Sequence, residues 1–222
     1  MGHKRKIYLG TAIAILGGLG LFGAWSAFAA GGTALCKTAE SPCATTNHYS
    51  TGTKFNAAAG YAMITTSVGH VMCGKWTIAG QTTSTGSSTE SVTANIETFF
   101  PTGCAIATPF SEHTCTMTVL HTPFKGTITH TKETSGTLTI SSGGSGELAI
   151  KVDCGATLLK CEFAFGNPVL DASSGSTWDF FANREPLTGT PYEGGTCPKE
   201  ASWWGHFNLA LTPSTMWFEE SA

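Results

Sequence analysis

Residues 137–154 read TLTISSGGSGELAIKVDC, and the reading of this stretch decides the fold class. Leu138 and Ile140 alternate with threonines, glycine and serine fill the middle, and Leu148, Ile150, Val152 and Cys154 alternate again. Successive side chains of an extended chain point to opposite faces, so apolar residues at every second position mark a half-buried strand. The Gly/Ser run between the two halves reads as a turn, which predicts a β-hairpin.

The same period of two recurs along the chain. In residues 91–100, SVTANIETFF, Val92, Ala94 and Ile96 share one face, which Phe100 extends. In residues 203–211, WWGHFNLAL, Trp203, Gly205, Phe207, Leu209 and Leu211 take one face and Trp204, His206, Asn208 and Ala210 the other. Further strand-like runs are KFNAAAGYAMITT (54–66), VGHVMCGKWTI (68–78), CTMTVLHTPFKGTITH (115–130), CEFAFG (161–166) and STMWFEE (214–220). Apolar residues never keep helical spacing for three turns, and the abundant threonines suit a pleated surface. These signals predict one all-β domain, an antiparallel β-sandwich or barrel of about ten to twelve short strands. Residues 166–196 read as the longest irregular segment, the natural place for a functional loop.

The N-terminus carries a cationic cluster, His3-Lys4-Arg5-Lys6, then the apolar run IYLGTAIAILGGLGLF, then Ala27-Phe28-Ala29. That order describes a secretory signal peptide spanning 1–29, with the β-domain occupying 30–222. Membrane association is expected only if the segment stays uncleaved, and the five glycines between Ile7 and Ala30 make a poor anchoring helix. Removing it takes away three of the 12 basic residues and none of the 15 acidic ones, moving the net charge from −3 to −6. One arginine, Arg184, then remains. This balance argues against nucleic acid, which needs clustered Lys and Arg.

All eight cysteines, Cys36, Cys43, Cys73, Cys104, Cys115, Cys154, Cys161 and Cys197, lie beyond the export segment. An even count in that context reads as a disulfide framework of a secreted domain. The pairs Cys36/Cys43 and Cys154/Cys161 share a spacing of seven and are expected to close local loops. For the other four, Cys104–Cys115 with Cys73–Cys197 and Cys73–Cys104 with Cys115–Cys197 both remain open. Zinc and redox motifs need closer spacing than this chain offers.

Catalytic constellations are sparse. His113, His121 and His130 fall near one expected hairpin, where a metal site is conceivable, but scattered polar side chains are the plainer reading. Glu97 and Glu162 lie in strand-like runs and are the nameable carboxylates for a hydrolase, yet no spacing connects them. No G-x-S-x-G elbow accompanies the serines, and no motif calls for a cofactor. Aromatic residues crowd the last quarter. If Trp203 faces inward, Trp204 faces outward with His206 and Asn208 beside it, a candidate platform for a sugar ring.

LCKTAESPC, YSTGTKF, VMCGKW, FFPTGC and CPKEASWWGHFNL occur in this order. In these stretches the chain resembles a group of uncharacterised secreted, cysteine-rich, β-rich bacterial proteins with no assigned activity. The resemblance implies an exported β-domain and transfers no catalytic residue. The expectation is a secreted or cell-surface, non-enzymatic domain with a structural or interaction role and an extracellular partner or glycan. A carbohydrate-binding module and an extracellular hydrolase are the alternatives.

Overall fold

The computed structural model describes residues 32–38, 43–87, 90–108, 111–132, 135–144, 146–155, 157–173, 178–211 and 217–220. The expected export segment, 1–29, lies outside them. The described residues form an all-β fold of thirteen strands and one 3-10 turn, Thr45–Asn47. The strands are β1 (Thr33–Cys36), β2 (Lys54–Thr66), β3 (Gly69–Thr82), β4 (Val92–Ala107), β5 (Glu112–Leu120) and β6 (Phe124–Lys132). After these come β7 (Ser135–Ser142), β8 (Ala149–Asp153), β9 (Lys160–Ala164), β10 (Val169–Ser173), β11 (Trp178–Pro191), β12 (Glu200–Leu211) and β13 (Trp217–Glu220).

Strands β2 to β12 make one antiparallel sheet that closes on itself. A ring of eight strands runs β4-β3-β2-β12-β11-β9-β8-β5 and returns to β4. Strands β6, β7 and β10 close a second ring over the same β4-β3-β2-β12-β11 wall. The chain path makes this simple. β5 pairs with the C-terminal end of β4 and β6 with its N-terminal end. β8 and β7 then pair with β5 and β6, and β9 and β10 pair with β8 and β7. Each short pair is therefore one stave broken in the middle. The whole is an up-and-down barrel of eight staves, arranged in two tiers and closed where β12 meets β2.

The predicted hairpin at 137–154 is corrected by this path. Both halves are strands, but β7 and β8 belong to different tiers and do not pair. The Gly/Ser run between them is the break within one stave, running beside the β5–β6 break, and not a turn. It passes so close to the β5–β6 break that a Cβ at Gly143 would lie 2.0 Å from the Pro123 carbonyl oxygen. The tight glycine marks the place where one broken stave runs on beside another, which in sequence looks the same as a reversal.

The waist between the tiers explains other departures. Pairs of consecutive exposed residues interrupt the alternation at Gly60-Tyr61, Gly74-Lys75, Thr102-Gly103 and Asn183-Arg184. Each break flips the inward phase, because side chains alternate with period two. A similar break at Glu97-Thr98 leaves Phe100 55% exposed and turns Phe99 inward instead. Residues 166–196 are not mainly irregular, since they hold β10 and the long β11. In β11 a register shift between Ala182 and Glu185 moves the buried set from Phe180 and Ala182 to Leu187, which hid the strand from a period count.

Inside, Trp76, Trp203, Phe99, Phe165 and Phe207 pack ring against ring, with centroids 5.3–6.4 Å apart. Full burial of such side chains is worth roughly 1.5–3 kcal/mol each, so this cluster dominates the core. At one end β1 pairs with β13. Thr33 is buried there, accepting a hydrogen bond at Oγ1 from the His130 amide (2.6 Å), while its own amide donates to the Glu90 carbonyl (3.1 Å).

The disulfides are Cys36–Cys43, Cys73–Cys104, Cys115–Cys154 and Cys161–Cys197. The expected Cys154–Cys161 bridge does not form. In the β8–β9 register Cys161 stands opposite Val152, two residues short of Cys154. Cys154 instead follows Asp153, which pairs with Thr116, and so comes level with Cys115. Of the two open pairings, Cys73–Cys104 exists, and Cys73–Cys197, Cys104–Cys115 and Cys115–Cys197 do not. Four bridges suit an oxidising environment.

Candidate functional site

Strand β12 carries the candidate platform. Its alternation is unbroken from Trp203 to Asn208: Trp203, Gly205 and Phe207 are buried, Trp204 is half-buried, and His206 and Asn208 are exposed. The neighbours come from β2 on one side and β11 on the other. Trp204 stands opposite Met63, His206 opposite both Tyr61 and Phe181, and Asn208 opposite Asp179.

These registers place four rings in a row on the outer wall. Trp204 meets Tyr61 edge to face at 5.4 Å between centroids and Phe181 at 5.6 Å, and Phe181 meets His206 at 6.1 Å. Tyr61 is 44% exposed, and its hydroxyl donates to the Met63 and Met72 sulfurs at 3.5 and 3.4 Å. The edge contacts hold the rings in place, since aromatic pairs in this geometry add about 0.5–1.5 kcal/mol beyond burial. Asp179 anchors the polar end. Its carboxylate lies 3.2 Å from His206 Nε2 and accepts a hydrogen bond from Asn208 Nδ2.

Two shallow depressions flank the row. One, of about 640 Å³, is lined by Tyr61, His70, Arg184, Ser202 and Trp204 among others. The other, of about 520 Å³, is lined by Thr137, Asp171, Ser173, Asp179, Phe181 and His206. The face thus offers ring surface in the middle and hydrogen-bonding groups at both sides. Tyr61, Asp179 and Arg184 were not singled out by sequence reasoning as parts of this site. Their place beside Trp204 depends on the order β2-β12-β11, which alternation within one strand does not encode.

The other sequence candidates stand apart. Glu97 is exposed on β4, accepting a hydrogen bond from Gln81 Nε2 (3.1 Å). Glu162 is on β9, 3.9 Å from Lys151 Nζ. β5 and β8 separate their strands. His113, on β5 opposite Ile106, hydrogen-bonds to Ser111 (2.7 Å), His121 sits in the β5–β6 break, and His130 lies toward the far end of β6. Since β5 and β6 do not pair, the expected hairpin that would unite these histidines is absent. Among the described residues no three His, Cys, Asp or Glu side chains form a metal-binding group.

One charged cluster lies elsewhere. Lys160 Nζ is 3.0 Å from Glu193 and 3.2 Å from Asp153. The Gly155 amide and the Lys160 ammonium hold the Asp153 carboxyl below its ordinary range, and Glu193 and Asp153 raise Lys160. This network ties the β8–β9 turn to the loop after β11, so its work is structural.

Compared with protein-family models, curated proteins and solved structures, the chain matches none.

Proposed function

We propose that this chain is an exported, non-enzymatic binding domain that recognises a glycan on its outer wall, centred on Trp204. The observation that carries the reading is the fixed row of Tyr61, Trp204, Phe181 and His206, bordered by the Asp179–Asn208 pair. Sugar rings present C–H faces that pack on aromatic rings, and hydroxyls that pair with carboxylates, amides and imidazoles. A Trp braced by two neighbouring rings supplies the first at little entropic cost. Asp179, Asn208 and His206 supply the second.

The signal-like N-terminus and the disulfides support the export part of this reading. A hydrolase is disfavoured because Glu97 and Glu162 sit on strands separated by two others. The test is a glycan array probed with the disulfide-intact protein and with Trp204→Ala. Binding by wild type and at least a tenfold loss in the variant are expected. Absence of any glycan binding by wild type would sink this reading and leave a structural or protein-interaction role.

A further inference from the structure

We infer that the site selects acidic sugars, with Arg184 reading a uronic-acid carboxylate at the edge of the Trp204 platform. The inference rests on the glycan reading and specifies its ligand class.

Arg184 is the one arginine in residues 30–222. It sits at φ 58 within the register shift of β11, at the waist of the barrel, and is exposed. A non-glycine residue in the left-handed region is uncommon and carries a conformational cost. A β-bulge there re-aims the side chain out of the regular pleat. Here the result is that Arg184 lines the same depression as Trp204 and Tyr61. His70 lines it too, its Nδ1 3.3 Å from Thr65 Oγ1, and the described lining contains no Asp or Glu. Among the described residues the Arg184 side chain has no ion pair or hydrogen bond. Its guanidinium fork is therefore free to meet a planar anion.

A guanidinium matches a carboxylate with two parallel hydrogen bonds, a geometry that neutral hydroxyls do not reproduce. A uronic acid combines that carboxylate with a pyranose ring able to stack on Trp204. The acidic side chains of this face, Asp171 and Asp179, line the other depression, on the far side of Phe181. The face is thus divided by charge, and only its Arg184 side suits an anion.

The experiment pairs oligosaccharides of galacturonate, glucuronate and mannuronate with their carboxyl-reduced neutral counterparts. Affinities are measured for wild type, Arg184→Asn, Arg184→Gly and Trp204→Ala. Asn and Gly both tolerate φ 58, so these variants remove the charge without adding backbone strain. Wild type should prefer an acidic member at least tenfold, with the preference shrinking as salt rises. Both Arg184 variants should lose the preference for the acidic member over its reduced counterpart, whereas Trp204→Ala should lose binding to both kinds of ligand. Equal affinity for acidic and reduced ligands, or a preference that survives in the Arg184 variants, would overturn the inference and leave the glycan reading standing. If no glycan of either kind binds, the glycan reading itself fails.

Discussion

At the scale of single residues, Trp203 and Trp204 show how one strand divides labour between core and surface. Trp203 is fully buried against Trp76, Phe99, Phe165 and Phe207. Trp203→Ala should destabilise the protein by about 3–5 kcal/mol, the range for deleting a buried large aromatic. Trp204→Ala leaves that cluster untouched and should cost far less. Denaturant titration of both variants checks the contrast, and equal losses would contradict the assigned orientations. This division was legible in the sequence, because β12 keeps strict alternation across WWGHFN. Phe100 departs from such alternation, since nothing in the run SVTANIETFF announces the pleat break at Glu97-Thr98.

The element scale is where sequence and structure part most. Alternation located most strands but not their partners. The spacing of Cys154 and Cys161 imitates that of Cys36 and Cys43, yet only the latter pair bonds, because partner choice follows strand register. Cys161 instead reaches Cys197 across Gly189 of β11. A Cβ at Gly189 would lie 2.0 Å from the Pro198 carbonyl oxygen, 2.9 Å from Cys197 Sγ and 3.0 Å from Cys161 Sγ. Gly189→Ala is therefore expected to force the β11–β12 loop outward and lower stability by about 1–3 kcal/mol. Gly60→Ala, whose Cβ meets nothing within 4 Å, serves as the comparison. Thermal unfolding should show a clear drop in the melting temperature for the first and a small change for the second. The candidate site was half legible for the same reason: Trp204, His206 and Asn208 lie on one strand, while Tyr61, Asp179 and Arg184 come from its neighbours.

Across the whole molecule, the covalent staples are unevenly placed. Cys73–Cys104 joins β3 to β4, Cys115–Cys154 joins β5 to the end of β8, and Cys161–Cys197 ties β9 to the β11–β12 loop. All three belong to the tier of β5, β8 and β9. Their sequence separations of 31, 39 and 36 residues correspond to about 3–4 kcal/mol each in the chain-entropy picture. The fourth bridge, Cys36–Cys43, stays local to the segment that begins in β1, so the tier of β6, β7 and β10 relies on packing and on the β1–β13 pair. Reduction and alkylation should therefore release amide protection in β5, β8 and β9 before β6, β7 and β10. Hydrogen exchange read strand by strand tests this, and uniform loss across both tiers would refute it.

The closure of β12 on β2 has a consequence for how the chain assembles. Every other stave can pair with a neighbour that precedes it directly, so the wall grows by short-range steps. The seam is different: its two partners lie near opposite ends of the folded region, and the loop to be closed is nearly the whole domain. A chain emerging N-terminus first must hold β2 as a bare edge until β12 arrives. During that interval the growing sheet is a template for any stray strand. The last stave acts as a clasp, and the same strand that completes the barrel brings Trp204 between Tyr61 and Phe181. The candidate face therefore exists only once the barrel is shut.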